Sequence, residues 1–229
     1  MRMRLIICLL LCSVVCANAE HAAITVTHKG EADLWVSLKE DKRSLLVISG
    51  NGAKTWRSVS TVAPFHNLFF FSPTIGWSVY QYQKHGSPCS VISNTLDAGY
   101  SWRKGFSACR DKTGYTIAQV LFVSRQLGFA LSQDADDGLL LKTKDGGRSF
   151  QDIPELSGKG QISSVLWDGA KHLLVLGRDF IGVSDDQGTT WKRVEASEGV
   201  LPGRTQFFLT RGQLLSSGRA YLIDGNDGA

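Results

Sequence analysis

The sequence predicts an all-β protein, a β-propeller of about five four-stranded blades, of which four are complete and the fifth lacks its outer strand. Two observations predict this fold. A short motif recurs every 41 to 48 residues along the 229-residue chain, and each interval holds four short strand-like stretches. A repeat of this length with four strands is typical of propeller blades. In addition, no segment shows a sustained helical period with capping residues.

The recurring motif has the spacing Ser/Thr-x-Asp-x-Gly-x-x-Trp and is called the box below. Its four copies read SGNGAKTW, TLDAGYSW, TKDGGRSF and SDDQGTTW. Two departures are mild, because Ala53 stands where Gly is expected and Phe150 where Trp is expected. The predicted box residues are Ser49, Asn51, Trp56, Thr95, Asp97, Gly99, Trp102, Thr143, Asp145, Gly147, Phe150, Ser184, Asp186, Gly188 and Trp191.

Each position of the box has a physical reason in a hairpin turn. The Asp side chain can accept hydrogen bonds from backbone N–H groups that follow it, and the Ser or Thr hydroxyl can satisfy another main-chain group. Gly adopts a positive φ without steric penalty. The aromatic ring then covers the start of the next strand and buries apolar area. We therefore interpret the repeated carboxylates as structural rather than catalytic.

The strands of each blade follow in the same order along the chain. In the third blade, AQVLFVS is apolar and β-branched, as expected of a strand buried on both faces, and FALSQ, LLLKT and SFQDI follow it. The turn residues RQLG and DADDG separate the first three strands. The first blade has ITVT, LWVSL, LLVIS and TWRSV, and the second has NLFFFS, GWSVYQY, CSVISNT and SWRKGFS. The fourth has QISSVLW, HLLVLG, FIGVS and TWKRV.

The last blade is incomplete in the sequence. It has QFFLT, QLLSS and AYLID, and the chain then ends inside a fifth box-like stretch, GNDGA. Two interpretations stay open: a five-bladed ring that closes on a three-stranded blade, or a piece of a longer propeller. The predicted blades cover residues 22–60, 66–108, 116–154, 160–196 and 203–229.

The first 19 residues are typical of a secretory signal. Arg2 and Arg4 precede an apolar run of about a dozen residues, too short to span a bilayer, and ANA provides a small-x-small cleavage site after Ala19. We expect a mature chain of residues 20–229 that is periplasmic or secreted, a monomer, and without a membrane span. Its net charge near +2 is too small to favour nucleic acid.

Only two cysteines, Cys89 and Cys109, lie outside the predicted signal. Two cysteines in an exported chain suggest one disulfide. They flank the second box, so a hairpin turn there places them opposite each other or one residue out of register, within bridging distance. A redox site is the weaker alternative, since no Cys-x-x-Cys and no neighbouring His accompany them.

The box resembles the Asp-box, or bacterial neuraminidase repeat, and its copies cover nearly all of the mature chain. Glycine followed by an aromatic residue, Gly76-Trp77 and Gly128-Phe129, opens the second strand of two blades. With LFVSRQLGFAL and LLLKTKDGGRSF, this looks like repeats of the photosystem II stability and assembly factor family and its non-photosynthetic relatives. The photosynthetic members are lumenal scaffolds that bind an assembling membrane protein. The resemblance therefore implies a binding propeller, and it does not decide whether photosynthesis is relevant.

An enzyme is the second hypothesis, because the Asp-box also occurs in sialidases and other glycosidases. In the sialidase family, three Arg hold the carboxylate of the substrate, a Tyr–Glu pair supplies the nucleophile, and an acidic residue donates a proton. Sialidases have an Arg-Ile-Pro tripeptide near the first blade, and this sequence has none there. Sialidase propellers also have six blades, which do not fit into the mature length at this period. Scattered histidines and a Gly at the third ligand place of DADDG give no reason to expect a metal or cofactor. We predict no catalytic residue.

Two polar loops of the second blade are the candidate partner-binding residues. The segments YQKHGSP (82–88) and CRDKTGY (109–115) carry Lys84, His85, Arg110, Lys112 and Tyr115, and the expected disulfide would anchor both. A solvated loop is the plain alternative. We expect a non-enzymatic scaffold for a protein partner. Glycan binding and a periplasmic inhibitor or immunity-type role are the other hypotheses.

Overall fold

The computed structural model describes residues 24–28, 34–40, 43–60, 65–133, 138–156, 162–177, 180–195, 209–214 and 220–224. The predicted signal peptide and the DADDG acids at 134–137 lie outside these residues. The chain divides into two compact units, residues 1–81 with 93–104 and residues 82–92 with 105–229. Within the described residues, no helix is both long and apolar enough to cross a membrane.

The described strands form four antiparallel sheets of four strands each, and a fifth sheet of two. Each four-stranded sheet takes its strands in sequence order, the order expected of propeller blades. The first two sheets consist of β1 (Ile24–His28), β2 (Leu34–Glu40), β3 (Arg43–Ser49), β4 (Arg57–Ser60), β5 (Asn67–Phe70), β6 (Gly76–Lys84), β7 (Ser87–Thr95) and β8 (Arg103–Cys109). The next two consist of β9 (Thr116–Phe122), β10 (Gly128–Gln133), β11 (Leu140–Thr143), β12 (Gln151–Asp152), β13 (Ile162–Trp167), β14 (Leu173–Gly177), β15 (Phe180–Ser184) and β16 (Lys192–Glu195).

The fourth sheet shows why the apolar runs become its inner strands. β14 is LLVLG, and all five of its residues are buried, as expected of a strand covered on both faces. It pairs with β13 and β15, so that Leu173 lies opposite Trp167 and Ser184. β15 alternates between buried and half-buried residues, the period of two that marks a strand with one sheltered face.

The core of the first unit is aromatic. Trp35 stacks on Phe70 with 4.5 Å between ring centroids and 8° between planes. Leu46, Ile48 and Val59 belong to the same buried cluster. An aromatic pair of this kind adds about 1 kcal/mol beyond the area that it buries, so the cluster ties the first sheet to β5.

Glycine opens the second strand of two blades because a ring occupies the space of its side chain. A Cβ on Gly76 would lie 2.7 Å from the Phe70 ring, and one on Gly128 would lie 2.4 Å from the Phe122 ring. Both rings are fully buried at the end of the preceding strand. The Gly-aromatic pairs of the sequence are therefore packing features.

Two details differ from the sequence-based strands. β12 has only two residues, Gln151–Asp152, where SFQDI was expected to be a longer outer strand. In the last blade, β17 (Leu209–Leu214) pairs with β18 (Ala220–Asp224). β17 runs through Arg211-Gly212, where a turn was expected, with a register shift between Leu209 and Arg211. The other residues of that blade, including 206–208, lie outside the described part.

Candidate functional site

The second box forms a closely hydrogen-bonded hairpin turn. The Thr95 hydroxyl donates to Asp97 Oδ1 at 2.7 Å and accepts the N–H of Gly99 at 2.9 Å. Asp97 accepts the N–H of Ser101 at 2.8 Å and its hydroxyl at 2.6 Å. Gly99 has a φ of 92°, and a Cβ there would lie 2.6 Å from the Leu46 side chain, so glycine avoids both backbone strain and a close contact here.

The third and fourth boxes repeat these contacts. Asp145 accepts the N–H and the hydroxyl of Ser149, and Asp186 does the same with Thr190. The hydroxyls of Thr143 and Ser184 accept the N–H groups of the box glycines, Gly147 and Gly188. The three carboxylates are thus committed to the hydrogen bonds of their own turns.

The first box makes the same turn with a neutral side chain. Asn51 Oδ1 accepts the N–H of Thr55 at 2.9 Å, and its amide donates to the Thr55 hydroxyl at 2.8 Å. The Ser49 hydroxyl accepts the N–H of Ala53 at 2.9 Å. Ala53 has a φ of 68°, a conformation that costs a non-glycine residue about 1 kcal/mol. The turn geometry therefore does not depend on a charge.

One box position was missed in the sequence. In every copy a hydroxyl residue precedes the aromatic residue and bonds the Asp or Asn side chain. These residues are Thr55, Ser101, Ser149 and Thr190. All four copies have Ser or Thr at this position, so the pattern is visible in the sequence. Its role becomes clear only in the structure, where the turn brings the hydroxyl to the Asp or Asn side chain.

Hydrogen bonding lowers the pKa of all three box carboxyls. The Ser101 hydroxyl and N–H lower the pKa of Asp97 to about 2. The Thr190 N–H and hydroxyl lower the pKa of Asp186 to about 2. Burial raises the pKa of Asp145, but bonds from Ser149 and its neighbours outweigh burial and leave that pKa well below its usual range. These carboxylates are charged hydrogen-bond acceptors at neutral pH.

The aromatic residue of each box packs against an apolar neighbour. Trp102 contacts Phe65 and Phe70, with ring centroids 5.1 and 6.3 Å away. Phe150 lies edge-on to Phe106 at 5.1 Å, and Trp191 edge-on to Phe129 at 6.0 Å. Trp56 lies against the cluster of Val36 and Val47. All four rings therefore serve packing.

The predicted disulfide is confirmed. Cys89 in β7 and Cys109 at the end of β8 are bonded, with 4.0 Å between their Cα atoms. Closing a loop with a sequence separation of 20 stabilises a fold by about 3 kcal/mol in the chain-entropy treatment. The carboxylate of Asp111 lies near both sulfurs, but disulfide sulfurs are not thiolate ligands, so this group does not indicate a metal site.

The disulfide lies beside two connections of the second blade. One is the hairpin between β6 and β7, where His85 and Gly86 take positive φ values of 50° and 79°. The other is α1 (Arg110–Thr113), a single helical turn that follows Cys109 and ends at Gly114 with a φ of 80°. The Ser87 hydroxyl accepts the N–H of Asp111 at 3.1 Å. We call residues 84–87 and 109–114 the hairpin–helix surface.

Four of the five predicted partner-binding residues belong to this surface. Lys84, His85, Arg110 and Lys112 are exposed. Tyr115 lies just beyond α1 and is half-buried. Burial, with a contribution from Asp152, raises the pKa of its phenol. The structure therefore brings the two loop segments together, and α1 is an element that the sequence analysis treated as loop.

Two other polar clusters lie outside the predicted partner-binding residues. Asp168 accepts the N–H groups of Ala170 and His172 and contacts His172 Nδ1 at 2.5 Å. These bonds stabilise the turn between β13 and β14. A polar cavity of about 240 Å³ is lined by Lys142, Lys144, Asp145, Ser149, Gln151 and Asp152.

Structure comparisons place the chain among β-propellers. YCF48 bound to D1 peptide has a TM-score of 0.56 and 16% identity over 89% of this chain and 60% of that one. A GH74 enzyme from Niastella koreensis has 0.53 and 10% over 89% and 44%, and the Hadza microbial sialidase Hz136 has 0.53 and 15% over 81% and 48%. The chain therefore spans about half the length of these proteins. At these low identities, the structural likeness confirms the predicted propeller fold and says nothing about function. No family model matches the chain, and no curated protein matches it significantly in sequence.

Proposed function

We propose that this chain is an exported, non-enzymatic propeller that binds a protein partner and acts as an assembly or stability scaffold. The observation that carries the proposal is the hairpin–helix surface. It gathers Lys84, His85, Arg110 and Lys112 on two connections that a disulfide and the Ser87 contact hold together. A surface that is ordered before binding loses less conformational entropy when it captures a partner.

The charge of this surface indicates what it would attract. Its exposed side chains include two lysines and one arginine against one acid, Asp111. Clustered cations speed the association of an oppositely charged partner and orient it. An acidic segment of a protein is therefore the preferred partner.

The comparisons support the class of function without identifying the partner. YCF48, a photosystem II assembly factor, was solved with a D1 peptide, so a propeller of this kind can hold a peptide. Glycoside hydrolases share the fold to a similar degree, and a glycan-binding or glycosidase role is the second candidate. The box carboxylates favour scaffold over enzyme, because hydrogen bonds within their own turns occupy them.

Export is part of the proposal. It rests on the signal-like residues 1–19 and on the disulfide, since disulfides persist in oxidising compartments. An inhibitor that plugs another exported protein would present the same surface, and the identity of the captured protein distinguishes it from a scaffold.

The test is affinity capture of the tagged mature chain from envelope extracts of its own source. We expect a stoichiometric protein partner, and we expect Arg110→Glu/Lys112→Glu to lower its yield at least tenfold. The matched control is Arg125→Glu/Lys171→Glu, the same charge reversal at two exposed residues on other connections. Capture that both double variants retain equally would contradict a role for the surface, and no partner at all would contradict the scaffold.

A further inference from the structure

The four box turns differ in what they present to solvent. The residue after the first box position and the residue before the conserved hydroxyl are Gly50 and Lys54 in the first turn. They are Lys144 and Arg148 in the third, and Asp185 and Thr189 in the fourth. In the second turn they are Leu96 and Tyr100.

Leu96 and Tyr100 are exposed to 61% and 56%. They are the exposed large hydrophobic residues among the described residues. The equivalent positions of the other three turns are also exposed, so the fold does not need an apolar side chain at either place. Single exposed apolar residues are common, but the second turn is the one of the four that carries two of them.

The turn that carries this pair is rigid. Asp97 lies between the two residues and is held by Thr95 and Ser101. The N–H of Ala98 donates to Thr74 O at 2.9 Å, which joins the turn to the connection between β5 and β6. Preorganised aromatic and aliphatic side chains lose little entropy on binding, and tyrosine is enriched at the centres of protein interfaces.

The charge next to the pair is positive. Arg103 and Lys104 begin β8 three and four residues after Tyr100, and both are exposed. Asp97, the acid within the turn, is ionised at neutral pH and offsets part of this charge, which leaves two cations against one acid between Leu96 and Lys104. A ligand that covers the pair gains most if it offers apolar side chains flanked by carboxylates.

We propose that the second box turn is a separate docking site, at which Leu96 and Tyr100 anchor an acidic, amphipathic segment of a partner protein. The positive charge of Arg103 and Lys104 at the start of β8 would attract the carboxylates of that segment. The site deepens the proposed function, since it presumes that the chain binds a protein, but it uses other residues than the hairpin–helix surface.

The experiment uses a defined probe, a fluorescent 15-residue helical peptide of leucine and glutamate with its leucines on one face. Its binding to the mature chain is followed by fluorescence anisotropy. Two variants take their residues from the chain's other turns: Leu96→Asp/Tyr100→Thr copies the fourth, and Leu96→Lys/Tyr100→Arg copies the third. Both therefore suit the turn geometry, and circular dichroism checks that they fold.

We expect saturable binding that weakens at least tenfold in Leu96→Asp/Tyr100→Thr. The Leu96→Lys/Tyr100→Arg variant should keep part of the affinity at low salt and lose it at 0.5 M salt, because screened charge alone would remain. Arg110→Glu/Lys112→Glu should bind the peptide like the unchanged chain. A lysine-for-glutamate peptide and a serine-for-leucine peptide should bind at least tenfold more weakly.

Three results would overturn the proposal. They are no saturable binding, equal binding by the Leu96→Asp/Tyr100→Thr variant, or dimers in sedimentation that this variant abolishes, since the turn would then serve a second copy of the chain. If the peptide fails while Arg110→Glu/Lys112→Glu still lowers partner capture, the docking site is wrong and the proposed function stands. If the peptide binds as expected while capture fails, the docking site stands and the proposed function is wrong.

Discussion

The indole nitrogens of Trp102 and Trp191 are buried without a hydrogen-bond partner. An unsatisfied buried donor costs about 1 to 3 kcal/mol. The ring of each tryptophan therefore stabilises the fold, whereas its buried N–H destabilises it. The third box has a phenylalanine at the same place, and Phe150 packs edge-on to Phe106 as Trp191 packs on Phe129. Phe150 thus shows that a box turn can keep its aromatic packing without an indole N–H.

We therefore predict that Trp191→Phe lowers the free energy of unfolding by less than about 1 kcal/mol, whereas Trp191→Ala lowers it by about 3 kcal/mol. The first change loses some buried area but removes the unsatisfied N–H, and the second removes the contact with Phe129. Urea unfolding followed by far-ultraviolet circular dichroism measures both. Equal losses in the two variants would contradict this, because the aromatic ring that Trp191→Phe retains would then contribute nothing to stability.

The four box turns share one hydrogen-bond pattern but use two kinds of side chain, a carboxylate or an amide. Three of them hold a carboxylate whose pKa is lowered, and the first holds Asn51 in the same hydrogen-bond pattern. In the folded chain the pKa values of Asp97 and Asp186 are about 2, below the value of 3.8 for a free side chain. The stability that these turns contribute is therefore fully present above pH 3.8 and is lost as the pH falls through about 2.

We predict that Asp97→Asn makes unfolding less sensitive to acid. The midpoint temperature of the unchanged chain should fall steeply between pH 4 and pH 2, and that of the variant should fall less. At pH 7 the variant should lose little stability, because the Ser101 hydroxyl can accept from the new amide as the Thr55 hydroxyl does from Asn51. Thermal melts at pH 7, 4, 3 and 2 measure this.

Asp111→Asn is the matched control, since Asp111 is exposed and lies outside the boxes. Its melting curve should follow that of the unchanged chain at every pH. A parallel fall of the Asp97→Asn variant and the unchanged chain would mean that the box hydrogen bonds contribute no acid-dependent stability.

At the scale of the whole molecule, the elements that repeat could be predicted and the single ones could not. Four copies of the box at a regular period indicate four hairpins, and hence the sheets, because the same local reason applies each time. The Cys89–Cys109 pairing followed from the same register. The four-residue helix Arg110–Thr113 is too short to show a helical period. The exposure of Leu96 and Tyr100 depends on what packs around the second turn, which spacing does not report.

The box carboxylates are poorly suited to act as the acid of a glycoside hydrolase. Glycoside hydrolysis needs a carboxylic acid whose pKa is raised enough to keep its proton near neutral pH. Hydrogen bonds in the box turns do the opposite to Asp97, Asp145 and Asp186. We predict that the mature chain releases no product from a fluorogenic sialoside or from xyloglucan between pH 4 and pH 8, with a known sialidase and a known xyloglucanase as positive controls. Turnover that survives repurification and disappears in a single carboxylate-to-amide variant would contradict the scaffold and make that carboxylate a catalytic residue.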